Sequence, residues 1–257
     1  MRCDRGTGRG PFLGLANRRW FRLNAIMNKD SARSRRGLPH NPDVRNLVQS
    51  KRRWSSPPRR TDAMLGFRGW HERGFLPHRD EPGLTQFVTF HLADSFPAAL
   101  LSEWDALLKV EDDHERRLQL QAYLDRGRGE CHLGRREIGE LVDGALRFYH
   151  AKRCEMLAWA VMPNHVHVLF KTGVAPMSAV VGGVKEYTAR EANKILHRHG
   201  QFWAEDYWDT YMRDAQHEVD TRRYIELNPV KAGLVREAKD WPWSSARFRD
   251  ECGRLRL

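Results

Sequence analysis

The sequence predicts an α+β domain, an antiparallel central sheet with helices packed on one side of it. Three observations carry that expectation. Residues 85–92 alternate and are rich in β-branched and aromatic side chains, the pattern of a half-buried strand. Residues 155–162 and 165–170 are two apolar, β-favouring runs separated by Pro163-Asn164, which reads as a hairpin. Residues 137–150 and 177–199 instead repeat apolar side chains at helical spacing. Strands that pair locally, interleaved with helices, give an α+β architecture rather than a parallel sheet.

The elements follow in order. Regular structure is expected to begin near Leu84. After the first strand, Pro97 suits a helix start, and residues 98–127 carry helical spacing until Arg126-Gly127-Arg128-Gly129 breaks it. Ile138, Leu141, Val142, Ala145 and Tyr149 mark one face of the next helix. The hairpin comes next, then an amphipathic helix with Val180, Val181, Val184, Tyr187, Ile195 and Leu196 inward and Gly200 placed to end it. An aromatic stretch (Trp203, Tyr207, Trp208, Tyr211) leads to a short helix over residues 217–228, expected to stop at Pro229.

The chain has 257 residues and a formal charge of +11, unevenly placed. Residues 1–62 hold 16 Lys+Arg against 4 Asp+Glu, while residues 63–257 hold 28 against 29. The division expected is a basic arm at 1–62, a folded domain at 63–250 and a tail at 251–257. The arm's Arg pairs lie among Gly, Ser, Pro and Asn without period, a composition that cannot offset its ordering entropy. It reads as disordered, suited to sequence-independent phosphate contacts. The other reading is upstream sequence, since Met27 and Met64 are in-frame starts. No apolar run reaches the ~18 residues of a membrane span, so no membrane partner is expected. Four separated cysteines without a CxxC pair argue against a disulfide scaffold or zinc ribbon and make a reduced, cytoplasmic compartment the default.

Two pairs of residues carry chemistry. His165 and His167 are two apart on an expected strand, so both imidazoles project from one face and suit a divalent metal. Alone, this is also the pattern of two histidines packed on a sheet. Tyr224 and Asn228 are one helical turn apart, a phenol and a carboxamide on one face. Alone, that is also a core-edge tyrosine and an asparagine capping a helix.

Taken together, Met162-Pro-Asn-His-Val-His-Val-Leu-Phe170 and Tyr224-Ile-Glu-Leu-Asn-Pro-Val-Lys-Ala-Gly-Leu234 resemble the two signature motifs of the HUH single-tyrosine transposases. The resemblance is greatest to the REP-associated tyrosine transposases and covers about residues 65–248. It includes Gly69-Trp-His-Glu-Arg-Gly74 with Leu76-Pro-His78, Ala93-Asp-Ser-Phe-Pro97, Lys185-Glu-Tyr-Thr-Ala-Arg190 and Trp241-Pro-Trp-Ser-Ser245.

The resemblance implies a ferredoxin-like or RRM-like core whose sheet carries the HxH motif. It places Tyr224 at the nucleophile, His165 and His167 at the metal-binding motif and Asn228 at the third ligand position. It implies Mg²⁺ or Mn²⁺ as cofactor, hairpin-forming single-stranded DNA as partner, and a monomer or homodimer in which the tyrosine sometimes serves the other subunit's histidines. The reaction implied is strand cleavage and transfer through a 5′-phosphotyrosine. A covalent ester conserves the phosphodiester's energy, which accords with the absence of a GxxxxGK[ST] loop from the sequence. The rival is a DNA-binding protein that has lost catalysis.

Phosphate contacts are expected from Lys185, Arg190 and Lys194 on the long helix and from Arg213, Arg222, Arg223 and Lys231 around the helix of Tyr224. A solvated basic face is the alternative. Glu186 departs from the small residue common in the family, and His91 is expected at the surface, near the same sheet face.

Overall fold

The computed structural model describes residues 57–72, 77–95, 119 and 121–257. Helix α1 (Arg60–Met64) leads into a two-stranded antiparallel ribbon, β1 (Gly69–Glu72) and β2 (Pro77–Asp80). The main sheet holds β3 (Thr85–His91), β4 (Cys154–Val161), β5 (His165–Thr172) and β6 (Trp208–Tyr211). Its spatial order is β4-β5-β3-β6, with every pairing antiparallel. Helices α2 (Arg136–Tyr149), α3 (Met177–Ile195) and α4 (Ala215–Lys231) complete the domain.

Among the described residues regular structure therefore begins before Leu84, with α1 at Arg60. Strands of four residues are too short to show a period in sequence. The basic arm falls on residues 1–56, outside the described residues, apart from its last six positions. Most of the helix expected over 98–127 is outside them too. Its end is described: a helical turn at 121–124 gives way to Gly127 and Gly129, both at positive φ. At Gly129 a Cβ would stand 2.8 Å from the Asp94 carbonyl oxygen, so glycine alone fits.

The hairpin forms as its Pro-Asn turn predicts, with the Met162 amide donating to the His165 carbonyl at 2.8 Å. Residues alternate across β5. Val166, Val168 and Phe170 enter the main core with Val88, Phe90 and Trp159. Helices α2 and α3 cover that face through Ile138, Val142 and Leu146 and through Met177, Val180, Val181 and Val184. Asp80 Oδ1 accepts from the Met177 amide at 3.0 Å and so caps α3 from the ribbon.

Helices lie on both faces, which corrects the one-sided arrangement expected. Helix α4 packs on the other face, where Ile225 meets Ala158, Ala160 and Leu169. The sequence hides this because α4 has a short apolar stripe and small residues beneath it. Asp214 caps α4, accepting from the His217 amide at 2.7 Å. Pro229 does not end the helix, which continues to Lys231. Proline removes one N–H and its bond to the carbonyl four residues back. The last turn still closes through Ala232 N to Asn228 O and Leu234 N to Pro229 O, both 2.9 Å.

Helix α3 stops at Ile195, short of Gly200, where His197 already has φ +51°. The segment containing Trp241 and Trp243 seals the free edge of β4. Val161 N donates to Trp243 O at 2.9 Å, and Trp159 N to Ser245 Oγ at 3.0 Å. The tail beyond 250 folds back, with Arg256 N on Phe248 O at 2.9 Å.

Candidate active site

Strand β5 projects His165 and His167 from the face that α4 covers, because Val166 and Val168 take the main core. Both imidazoles are buried. Their Nε2 atoms stand 3.1 Å apart.

The partners of the remaining ring nitrogens fix the tautomers. Asn164 Nδ2 donates to the Leu124 and Arg128 carbonyls, so its Oδ1 faces His165 Nδ1 at 2.7 Å. That Nδ1 must therefore donate. Gln121 Nε2 donates to Asp125 Oδ1 at 2.8 Å and to His167 Nε2 at 3.0 Å. His167 Nδ1 then donates to Thr89 Oγ1, 2.8 Å away across the sheet. Burial holds both imidazoles neutral, His165 well below its ordinary pKa and His167 down to about 3. Two neutral rings with their protons on Nδ1 turn unprotonated Nε2 atoms toward each other, that of His167 also accepting from Gln121.

Helix α4 brings Tyr224 to the same place. Its ring centroid lies 5.8 Å from that of His167, in an edge-on arrangement. Tyr224 is half-buried and packs on Phe87. Burial pushes its hydroxyl well above the usual phenol value, the Asp125 carboxylate adds to this, and the Asn228 amide opposes it. Asn228 is buried one turn on, and its amide nitrogen has no hydrogen bond in good geometry. The expected His165, His167 and Tyr224 thus converge within one chain, with Asn228 one helical turn on from Tyr224.

These residues suit a divalent cation. Two imidazole lone pairs 3.1 Å apart repel, and the Gln121 amide donates to that of His167 alone, so a cation at the pair would relieve the repulsion. Asn228 is buried one turn from Tyr224, and the oxygen of its carboxamide is the atom that could face a cation. Among the described residues no three His, Cys, Asp or Glu side chains form a metal-holding group. His165, His167 and Asn228 are the residues that would hold the ion.

Three further residues belong to the site that sequence reasoning missed. Thr89, Gln121 and Asp125 come from segments remote in sequence, and no local spacing marks them. Asp125 lies at the surface with its carboxyl turned inward, Oδ1 3.8 Å from His165 Nε2 and the side chain 27% exposed. Desolvation raises this carboxyl to about 6, against the opposing pull of Gln121 and Lys231.

His91 is buried, not at the surface. It pairs with His165 across the sheet, stacks on Trp208 at 5.1 Å and is pushed down to about 4 by burial. Its Nδ1 donates to the Leu92 carbonyl at 2.8 Å.

The expected phosphate-contacting residues divide into two groups. Lys231 places its Nζ 4.5 Å from the Tyr224 ring centroid; burial lowers its proton affinity, Asp125 opposes this and Arg223 adds to it. Arg222 and Arg213 lie on α4 and just before it. Lys185, Arg190 and Lys194 are on α3, which packs on the sheet face opposite the histidines. Lys185 spends its ammonium on the Ala204 and Glu205 carbonyls, both at 2.8 Å. Arg190 and Lys194 both pair with Glu191. Glu186 is exposed on α3. Trp203 and Tyr207 are buried in the main core.

Comparison with known proteins places this geometry. Residues 138–228 match the family described as "Transposase IS200 like". A REP-associated tyrosine transposase of Escherichia coli K12 is 32% identical over 99 residues, which are 35% of this chain and 53% of that protein. A relative from Haemophilus influenzae is 28% identical over 102 residues, 35% of this chain and 58% of that one. The chain thus spans little more than half the length of these relatives. A solved REP-associated tyrosine transposase bound to a REP hairpin is 19% identical, with a TM-score of 0.42 over 73% of this chain and 87% of that one. The stretch that matches the IS200-like transposase family, residues 138–228, is the one that carries His165, His167, Tyr224 and Asn228.

Proposed function

We propose that the protein is a metal-dependent endonuclease and strand transferase for single-stranded, hairpin-forming DNA, acting in DNA transposition through Tyr224. The observation that carries this reading is the convergence of Tyr224 on the histidine pair within one chain, 5.8 Å between the Tyr224 and His167 rings.

The Tyr224 oxygen attacks a backbone phosphorus, the bond from phosphorus to the 3′-oxygen breaks, and a 5′-phosphotyrosine and a free 3′-hydroxyl result. Attack by a 3′-hydroxyl on that ester reverses the exchange and joins strands without a nucleotide cofactor. Bound Mg²⁺ or Mn²⁺ would polarise the scissile phosphate and offset charge on the leaving oxygen. A buried phenol is a poor nucleophile while protonated, since the free pKa is already about 10. Lys231 above the Tyr224 ring is placed to favour the phenolate. Thr89 and Asn164 hold the imidazoles in the tautomers that leave both Nε2 atoms without a proton. Lys231, Arg223, Arg222 and Arg213 are the cations best placed for phosphates. Lys185, Arg190 and Lys194 would reach only DNA that wraps round the domain.

The test is incubation with a single-stranded hairpin oligonucleotide and Mn²⁺. Wild type should give cleavage and a covalent adduct stable to denaturing electrophoresis, and Tyr224→Phe neither. Hairpin binding without cleavage by wild type would favour the catalytically inactive DNA-binding reading instead.

A further inference from the structure

We propose that Asp125 supplies the negative charge of the metal site, held in place by Gln121. This rests on the metal reading of the histidine pair given above.

The residues that would hold the ion, His165, His167 and Asn228, are all neutral. A divalent ion among neutral groups in a buried pocket keeps its full charge uncompensated, and taking charge out of water is costly. Mg²⁺ and Mn²⁺ are also hard ions that favour anionic oxygen over nitrogen. The carboxylate that reaches the pair is Asp125, with Oδ1 3.8 Å from His165 Nε2. Its electrostatic reach extends to both Tyr224 and Lys231, so it faces the nucleophile and the ammonium above it.

The Gln121 amide nitrogen ties the arrangement together, donating to Asp125 Oδ1 at 2.8 Å and to His167 Nε2 at 3.0 Å. In the metal-free protein Gln121 thus occupies the lone pair that an ion would use. It holds Asp125 beside that position rather than in it. Gln121 is buried, so this contact is built into the packing of the 121–124 turn. The turn is in turn fixed by Asn164, which donates to the Leu124 carbonyl at 3.1 Å. Asp125, Gln121 and the two histidines therefore form one connected unit. Carboxylates just outside a ligand set commonly change metal affinity by about 10- to 100-fold.

The experiment is calorimetric titration of Mn²⁺ into the full-length protein without DNA, with thermal melts in EDTA as the folding control. Wild type is expected to bind one ion. Asp125→Asn should bind it at least about tenfold more weakly while melting within a few degrees of wild type. Asp125→Glu, which keeps the charge, should stay within about threefold of wild type. Unchanged affinity in Asp125→Asn overturns the assignment, as does an equal loss in Asp125→Glu. If wild type takes up no Mn²⁺, the metal reading itself falls and this inference falls with it. If wild type binds and Asp125→Asn binds equally, the metal reading stands and the role of Asp125 does not.

Discussion

His165 and His167 turn their Nε2 atoms toward each other across 3.1 Å, and neither atom carries a proton. Left to themselves, two lone pairs would not be packed together in a buried site. The contact persists because Asn164 and Thr89 claim the protons of the other ring nitrogens.

Those two partners should therefore matter to metal binding without touching the ion. Thr89→Val and Asn164→Ala each free one imidazole to change tautomer. Each is expected to lower Mn²⁺ affinity by about 10- to 100-fold. Asn164→Ala should also cost about 1–3 kcal/mol, because the Leu124 and Arg128 carbonyls lose their donor. Calorimetry for the ion and urea melts for the fold separate the two effects.

Acid should unfold the metal-free protein early. His91, at about 4, and His167, at about 3, stay neutral in the fold at a pH where an unfolded histidine, at about 6.5, is already charged. The unfolded state therefore binds more protons below pH 6.5, and stability falls as pH falls from about 6.5 toward 4. Each such histidine contributes about 1.4 kcal/mol per pH unit in that window. Urea midpoints in EDTA at pH 7.5 and 4.5 measure it. His91→Gln should flatten the slope by one proton, and an unchanged slope would contradict the neutral, buried His91.

Helix α4 depends on a buried ion pair behind it. Glu226 Oε1 accepts from Ser245 Oγ at 2.6 Å and from Arg249 Nε at 2.8 Å, and Arg249 also donates to the Leu157 carbonyl. Glu226 and Arg249 are 15% and 14% exposed. Removing one partner strands the other, so Glu226→Ala is expected to cost about 3 kcal/mol. Because Tyr224 rides on the same helix, adduct formation should fall by more than the loss of folded protein accounts for. A variant with native adduct yield would show that Tyr224 is placed without this anchor.

Gly139 should not tolerate a methyl group. A Cβ there would run into the ring of Trp243, whose backbone carbonyl seals the β4 edge. Gly139→Ala is expected to destabilise by about 1–3 kcal/mol despite alanine's better helix propensity. A thermal melt shows the sign directly.

Much of this was readable before any coordinates. The hairpin, the two amphipathic helices and the His-x-His and Tyr-x₃-Asn pairs announce themselves through local periodicity or spacing, and the structure joins them. Thr89, Gln121 and Asp125 did not, because a hydroxyl, an amide and a carboxylate carry no local signature. Their role exists only once β3 and the 121–124 turn are laid against β5. For the basic side of α3, spacing shows which residues share a helix face, not which sheet face the helix covers. Pro229 misled because a proline in a last turn removes one bond without ending the turn.

The distance along the chain between the site's members has a kinetic meaning. Thr89 and His167 are 78 residues apart, and Gln121 and His167 are 46 apart. Contacts of that range close late, since the loop entropy must be met before they gain anything. A chain that has formed only its local hairpin holds two histidines but no oriented tautomers, no Asp125 and no Tyr224 beside them. The site therefore exists only in the completed tertiary structure, and a nascent or partly unfolded copy lacks it.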